Sequence, residues 1–314
     1  KMTSCLVNPR ACHETEIIIT PVDSPKRIAV VGAGPAGLAF ATTAAKRGHI
    51  VTLYDASSEI GGQFNIAKRI PGKGEFYETL RYFARQVELT GVNLQLNTRV
   101  DGGLLKKEKF DDVVLATGIL PRTPEIEGVR HQKVLSYLDV MSGQLVGKRV
   151  AVIGAGGIGF DISEYLMHSA AHKEQKIEDF MSQWGVDMNF SARGGVEGIK
   201  PMFEKAEREI FLLQRKKSKV GARLGKTTGW IHRTELLKKG ATFLSDCDYQ
   251  RIDDEGLHLT VNGEARCLDV DTIVVCAGQE PNRLLERDID QAVHFIGGAD
   301  VASELDAKRA IKQG

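Results

Sequence analysis

Arg27-Ile-Ala-Val-Val-Gly-Ala-Gly-Pro-Ala-Gly37 is the stretch whose reading decides the fold. Its first five residues form a short apolar run suited to a buried parallel strand, and the turn Gly32-Ala-Gly34-Pro-Ala36-Gly37 follows at once. The alanine-rich segment Ala36–Gly48 predicts a helix, and His49–Tyr54 predicts a second strand running into Asp55. Together these make a βαβ unit. Gly32 permits the tight turn, Gly34 lets backbone approach a pyrophosphate, and Gly37 lets helix and strand pack closely, while the helix N-terminus offers N–H groups to phosphates. Asp55, roughly 20 residues further on, is placed to accept hydrogen bonds from ribose hydroxyls. Glycine-rich strand-to-helix turns also serve packing alone, so context must decide between the two readings.

The context is a repeat. Gly147-Lys-Arg-Val-Ala-Val-Ile153 predicts another strand, followed by Gly154-Ala-Gly156-Gly157-Ile-Gly159 and a helix to about Met167. Its next strand, Glu209–Leu213, ends not in an acid but in Gln214-Arg215-Lys216-Lys217. A carboxylate there would repel a 2′-phosphate, whereas Arg215 and Lys216 can pair with it, so the second site is read as built for NADPH and the first, with Asp55, for a nucleotide with free ribose hydroxyls. The plainer reading is a solvated basic strand end. Asp111–Gly118 is echoed by Asp271–Gly278, each a strand running into a small-residue turn. Between them, Glu75–Thr90 predicts an amphipathic helix with Phe76, Leu80, Phe83 and Val87 on one side, ended by Gly91. Asn93–Asn97 and Asp112–Ala116 read as strands, and the Pro121–Pro124 segment as a crossing between domains. Asn262-Gly263 between Leu257–Val261 and Glu264–Leu268 signals a type I′ hairpin. A final helix is expected from about Ser303. His168–Arg208 is a polar excursion far longer than a usual connection.

The chain has 314 residues, enough for about two domains. Lys plus Arg (42) balances Asp plus Glu (41), so no electrostatic footprint for nucleic acid or a membrane surface is expected. Ile28–Ala45 is uncharged over the length of a membrane span, but Gly32, Gly34, Pro35 and Gly37 fit strand, turn and helix better. The five cysteines form no CxxC pair, which argues against a disulfide framework or a self-contained zinc site and makes a reducing cytoplasm the expected location. The opening Lys1-Met2 is that expected of a piece of a longer protein.

These residues resemble the two-dinucleotide-binding flavoproteins, in which an FAD domain is interrupted by an NAD(P)H domain. The fold expected is α/β, with two Rossmann-like domains, the NADPH domain inserted in the FAD domain as in glutathione reductase. The resemblance is carried by Ile60-Gly-Gly62-Gln63, Ala116-Thr-Gly118 and Gly297-Gly298-Ala-Asp300. More closely, Thr3–Glu14, Ile60–Lys68 and Gly225-Lys-Thr-Thr-Gly-Trp-Ile-His-Arg233 resemble the bacterial NADPH-dependent 2,4-dienoyl-CoA reductases, relatives of trimethylamine dehydrogenase and other Old Yellow Enzyme fusions. The resemblance implies an iron–sulfur-region remnant and linker at 1–25, FAD-domain parts at 26–140 and 277–314, and an NADPH domain at 141–276. It implies FAD contacts from Gly32, Gly34, Ala36, Gly37, Asp55, Gly62, Gln63, Val100 (through its backbone, at adenine), Gly118, Gly298 and Asp300, with Lys73 as a phosphate or ribose contact. For NADPH it implies Gly154, Gly156, Gly157, Gly159, Arg215 and Lys216. Trp230 is a candidate cover for the adenine, with a core or rim aromatic as the plainer reading, and His232 reads equally as a surface histidine.

In that family an N-terminal barrel carries FMN and the substrate site, and four thiolates hold a [4Fe–4S] cluster. Cys5 resembles the last ligand, and the other three and the barrel are missing, so cluster and FMN are expected only in the full-length protein. Cys12 is read as a packed thiol. NADPH would pass hydride to FAD, which needs orientation rather than a protein acid or base. The reaction implied is reduction of a 2,4-dienoyl-CoA in fatty-acid β-oxidation, with this piece acting alone only as an NADPH diaphorase. The excursion at 168–208 is read as a surface insertion, or as a cover for the nucleotide site or a contact for the barrel. Rival readings are a disulfide reductase, which would need the absent CxxC or CxxxxC pair, a reductase serving a separate ferredoxin, and a redox-inert FAD- or ADP-binding module like that of amine dehydrogenases.

Overall fold

Strand β1 (Arg27–Val31) buries both faces, Ile28 and Val30 toward one apolar cluster and Ala29 and Val31 toward another, as an interior parallel strand must. In the computed structural model, which describes residues 3–168, 176–191, 193–289, 293–303 and 306–314, β1 leads through the glycine turn into α1 (Pro35–Lys46) and β2 (Ile50–Tyr54). Pro35 stands at the first helical position, where its missing N–H costs nothing. The chain continues through α2 (Phe64–Ala67), α3 (Glu75–Thr90), β3 (Asn93–Gln95), α4 (Gly102–Glu108), β4 (Asp112–Leu115) and β5 (Ile119–Pro121). Helix α3 ends at left-handed Gly91 and buries Leu80, Phe83 and Val87, as its periodicity requires.

The chain divides into two compact units, one formed by Lys1–Arg122 and Gly278–Gly314, the other by Thr123–Ala277. The second holds β6 (Val134–Ser136), α5 (Tyr137–Ser142), β7 (Arg149–Ile153), α6 (Gly157–Met167), α7 (Ile177–Trp184), β8 (Glu209–Leu213), α8 (Gly229–Lys238) and β9 (Thr242–Leu244), then β10 (Cys247–Asp253), β11 (Gly256–Val261), β12 (Glu264–Leu268) and β13 (Thr272–Val275). The first unit resumes with β14 (Gln279–Pro281), β15 (Val293–Phe295), a single 3-10 turn Gly297–Ala299, and α9 (Ala307–Gln313). Helix α9 starts later than its sequence suggests because Asp306 caps it, its Oδ1 accepting from Arg309 N at 2.7 Å. No helix among the described residues is long and apolar enough to cross a membrane.

Each unit is built on a parallel five-stranded sheet. The orders are β15-β4-β1-β2-β3 and β6-β13-β7-β8-β9, so β1 and β7 hold the same place, as do β4 and β13, and β2 and β8. The Asp111–Gly118 and Asp271–Gly278 echo thus marks the strand beside each fingerprint. In the second unit Ala151 and Ile153 of β7 share an apolar cluster with Leu257, Leu259 and Val261 of β11. The β11–β12 hairpin turns at Asn262 (φ 52) and Gly263 (φ 83), both left-handed as a type I′ turn requires. Of the 168–208 excursion, residues 169–175 and 192 lie outside the described residues. The rest includes α7, which buries none of its side chains, and the ring contacts of Trp184 with Phe180 and Phe203.

Candidate dinucleotide-binding sites

At the end of β1 the chain must turn sharply while β4 runs alongside it. Gly32 adopts φ +110, and a Cβ there would lie 2.3 Å from Ala116 O, so only glycine fits. A Cβ at Gly37 would meet Gly32 O at 1.8 Å, which is what keeps α1 tight against the loop. Gly34 differs, with nothing within 4 Å of an added Cβ. The fold itself places no demand for glycine there, and the open space beside the α1 N-terminus is a cradle that a side chain would fill and a phosphate can use.

Three other segments close on this loop. Gly61 N donates to Ala33 O at 2.8 Å, and a Cβ at Gly62 would lie 3.1 Å from Gly34 Cα, so the turn leading to Gln63, which caps α2, sits against the cradle. The Gly297–Ala299 turn, all three of its residues buried, packs on the start of α1, where a Cβ at Gly297 would lie 2.7 Å from Ala36 Cβ. Asp300 follows, its Oδ2 accepting from Gln313 Nε2 at 2.7 Å, while Arg283 donates to Ala299 O and Asp300 O. Gly118 is left-handed (φ 74), and the turn it forms is held by Asn282 N donating to its carbonyl at 3.0 Å. Asp55 is turned inward, its Oδ2 accepting from Ala33 N at 2.7 Å and its Oδ1 from Ser57 N at 2.8 Å. Both oxygens therefore brace the loop, and each keeps a further lone pair for a ribose hydroxyl. The Val100 side chain is buried among Tyr54, Leu105 and Phe110, and half-buried Lys73 lies in the turn ahead of α3.

The second unit repeats the device. Gly154 (φ +111) would place a Cβ 2.3 Å from Cys276 O, and Gly159 would place one 1.8 Å from Gly154 O, whereas Gly156 and Gly157 have nothing within 4 Å. Past β8, Gln214 Nε2 donates to Lys216 O at 2.9 Å and to Ser218 O at 2.5 Å, which folds the loop and leaves the Arg215 and Lys216 side chains exposed. Lys217 is 3.6 Å from Asp246. Trp230 opens α8 with its indole N–H donating to Thr227 O at 3.1 Å and its ring 60% exposed, so it is not a core residue.

Sequence reasoning missed Glu164. It lies on α6, buried among apolar neighbours, with a carboxylate oxygen 2.6 Å from His232 Nδ1, so His232 is not a plain surface histidine. Burial pushes the Glu164 carboxyl above the usual range, and the bond from His232 only partly opposes this. Next to it, nearly buried Lys239 contacts Glu235 at 2.9 Å and His168 Nε2 at 2.7 Å. An acid among the apolar positions Phe160, Ile162, Leu166 and Met167 of that helix was the available signal. Cys12 corrects a further reading: it is exposed, at left-handed φ 65, and its N–H donates to Glu14 rather than its thiol packing in a core. Cys5 is also exposed, and the backbone N–H groups of Asn8 and Val7 hold its thiol below the usual range.

Two glycine loops of this geometry, each between a buried parallel strand and a helix, define a protein that binds two dinucleotides. Residues 26–308 match the family model described as pyridine nucleotide-disulphide oxidoreductase, and the chain belongs to that family of flavin-dependent, nicotinamide-nucleotide-linked oxidoreductases. It is 29% identical over 301 residues to a metal reductase of Desulforamulus reducens, covering 94% of this chain and 44% of that protein. It is 29% identical to a cinnamate reductase of Clostridium sporogenes, covering 93% and 38%. A solved 2-naphthoyl-CoA reductase in complex with 2-naphthoyl-CoA superposes with a TM-score of 0.81 at 26% identity, covering 99% of this chain and 42% of that one. The chain thus spans less than half the length of these relatives.

Proposed function

We propose that this chain is the NADPH-oxidising, FAD-binding portion of a reductase of the 2,4-dienoyl-CoA reductase type. The observation that carries the reading is the pair Arg215 and Lys216, exposed beyond β8 where the first unit has Asp55 beyond β2. Two cations at that place attract a 2′-phosphate, and a carboxylate prefers free ribose hydroxyls. The open faces of Gly34 and of Gly156 and Gly157 fit a pyrophosphate each. Bound beside the Gly154–Gly159 loop, NADPH would supply a hydride, and FAD bound beside the Gly32–Gly37 loop would supply hydride acceptance, with a [4Fe–4S] cluster and FMN expected to serve the acyl substrate in the full-length protein. The chain's own residues orient. Asp55 fixes the first loop and engages ribose, Gln63 and Gly298 bound the flavin side, and the α1 and α6 N-termini offset phosphate charge.

Cys5, exposed among backbone N–H groups that favour its thiolate, supports a ligand role beside three thiolates from elsewhere. Cinnamate and 2-naphthoyl-CoA both place unsaturation next to a carboxyl carbon, which supports a conjugated acyl compound as the substrate class. The absence of a CxxC or CxxxxC pair from the sequence removes the dithiol that disulfide reduction needs. The test is the visible spectrum of the purified chain, recorded anaerobically with NADPH and with NADH. A bound flavin that bleaches faster with NADPH is expected. A chain that cannot be reconstituted with FAD, or a bound flavin that neither nucleotide reduces, overturns the reading.

A further inference from the structure

The β10–β11–β12 sheet carries a group of side chains that the nucleotide sites do not use. The Asn262-Gly263 turn sets the register so that His258 of β11 stands directly opposite Cys267 of β12. The Asp253–Gly256 pair closes the β10–β11 turn and brings Asp253 and Glu255 to the same end. Around His258 Nε2 lie Asp253 Oδ1 at 2.9 Å, Glu255 Oε2 at 3.7 Å and Cys267 Sγ at 3.8 Å. The Glu255, His258 and Cys267 donor atoms all fall within 4.8 Å of one another. Tetrahedral zinc, with bonds of about 2.3 Å to sulfur and about 2.0–2.1 Å to nitrogen and oxygen, needs donors separated by roughly 3.4–3.6 Å. The distances from His258 Nε2 to Glu255 and Cys267 exceed that requirement by only a few tenths of an ångström.

We propose that Glu255, His258 and Cys267, with solvent in the fourth position, form a binding site for a borderline divalent transition metal such as zinc, distinct from any iron–sulfur ligation by Cys5. A hydrogen bond from His258 to Asp253 explains those two residues alone. It does not account for the Cys267 thiol, whose Sγ lies 3.8 Å from the same imidazole nitrogen and within 4.8 Å of a Glu255 carboxylate oxygen. The mixed sulfur, nitrogen and oxygen donors suit zinc rather than calcium or magnesium. Binding forms the metal–sulfur and metal–nitrogen bonds, releases the Cys267 thiol proton to solvent, and holds His258 as the neutral imidazole with its proton on Nδ1. Arg251 opposes it, with Nη2 3.5 Å from His258 Nε2 and Nε 3.2 Å from Asp253 Oδ2, but its half-exposed guanidinium is free to turn outward. The bound metal would tie the β10–β11 turn to β12.

Cobalt(II) is the probe, added to the flavin-loaded chain after treatment with a chelator. One equivalent should produce intense ligand-field bands of tetrahedral geometry to the red of the flavin spectrum, which zinc then abolishes. Cys267→Ser and His258→Gln should each remove the bands and Glu255→Gln should weaken cobalt binding, whereas Cys5→Ser and Cys12→Ser should leave them intact. Far-ultraviolet circular dichroism reports whether each variant is folded. A chain that gives no tetrahedral cobalt spectrum, or one whose bands survive Cys267→Ser or vanish with Cys5→Ser, overturns the proposal.

Discussion

Gly159→Ala should destabilise the second unit, whereas Gly157→Ala, two positions earlier on α6, should not. A Cβ at Gly159 meets Gly154 O at 1.8 Å and Gly154 C at 2.9 Å, both backbone atoms, so helix and loop must separate by more than an ångström to reach ordinary contact beyond 3.4 Å. Overpacking of this kind costs about 1–3 kcal/mol. Replacing glycine by alanine inside a helix returns at most ~1 kcal/mol. The net loss of about 1–2 kcal/mol corresponds to a drop in Tm of roughly 2–8 °C for a unit of this size. At Gly157 nothing lies within 4 Å, so alanine should leave Tm unchanged or slightly raised. Its methyl group instead enters the open face beside the α6 N-terminus and should raise the KM for NADPH by about tenfold, equivalent to ~1.4 kcal/mol. Thermal unfolding followed by circular dichroism, together with steady-state kinetics of NADPH oxidation with an artificial acceptor, separates the two effects. An unchanged Tm for Gly159→Ala, or a lowered Tm with unchanged KM for Gly157→Ala, would refute the assignment of packing to one glycine and ligand approach to the other.

Arg215→Ala with Lys216→Ala should lower kcat/KM for NADPH by about 10- to 100-fold, the worth of one or two charged hydrogen bonds, and leave NADH largely unaffected; an unchanged preference sinks the 2′-phosphate assignment. Asp55→Ala strips the buried Ala33 N–H of its acceptor and should cost about 1–3 kcal/mol along with FAD affinity, with Asp55→Asn intermediate because one oxygen remains, as chemical denaturation and flavin titration would show. Glu164 has its carboxyl raised by burial, so its contribution to stability is fully present below the unfolded carboxyl range near ~4.3 and declines as pH rises through the folded value. Glu164→Gln should remove that decline, making unfolding free energy flatter with pH between the unfolded carboxyl range and the raised folded one; parallel curves for the two proteins would contradict it.

The parts of the architecture readable from sequence were those governed by local sterics. Gly32, Gly37, Gly154 and Gly159 announce two strand–turn–helix corners because no other residue fits the backbone there: carbonyls just past β4 and β13 block Gly32 and Gly154, and the carbonyls of Gly32 and Gly154 block Gly37 and Gly159. Gly91 and Asn262-Gly263 marked their turns for the same reason, left-handed backbone. What was not legible depends on contacts far apart in the chain. Glu164 and His232 meet only when α6 and α8 pack, and nothing local in His232 reveals a buried carboxylate. The pairing of His258 with Cys267 lies between these extremes, since a two-residue hairpin at Asn262-Gly263 dictates it, while the approach of Glu255 from the other turn requires the β10–β11 closure.

The two sites use one backbone device and differ in a single strand end. The carbonyl that forbids a side chain at Gly32 comes from the strand next to β1, and the one that forbids it at Gly154 comes from the strand in the same place beside β7, both at 2.3 Å. Identical sterics cannot tell one dinucleotide from the other. On the proposed reading, discrimination lies where the equivalent strands β2 and β8 end, and there the chain switches from Asp55, each oxygen accepting from a backbone N–H, to Arg215 and Lys216 with side chains exposed to solvent. An inward carboxylate braces its loop and suits a nucleotide held as a permanent part of the protein. Exposed cations on a loop folded by Gln214 suit one that arrives, reacts and leaves.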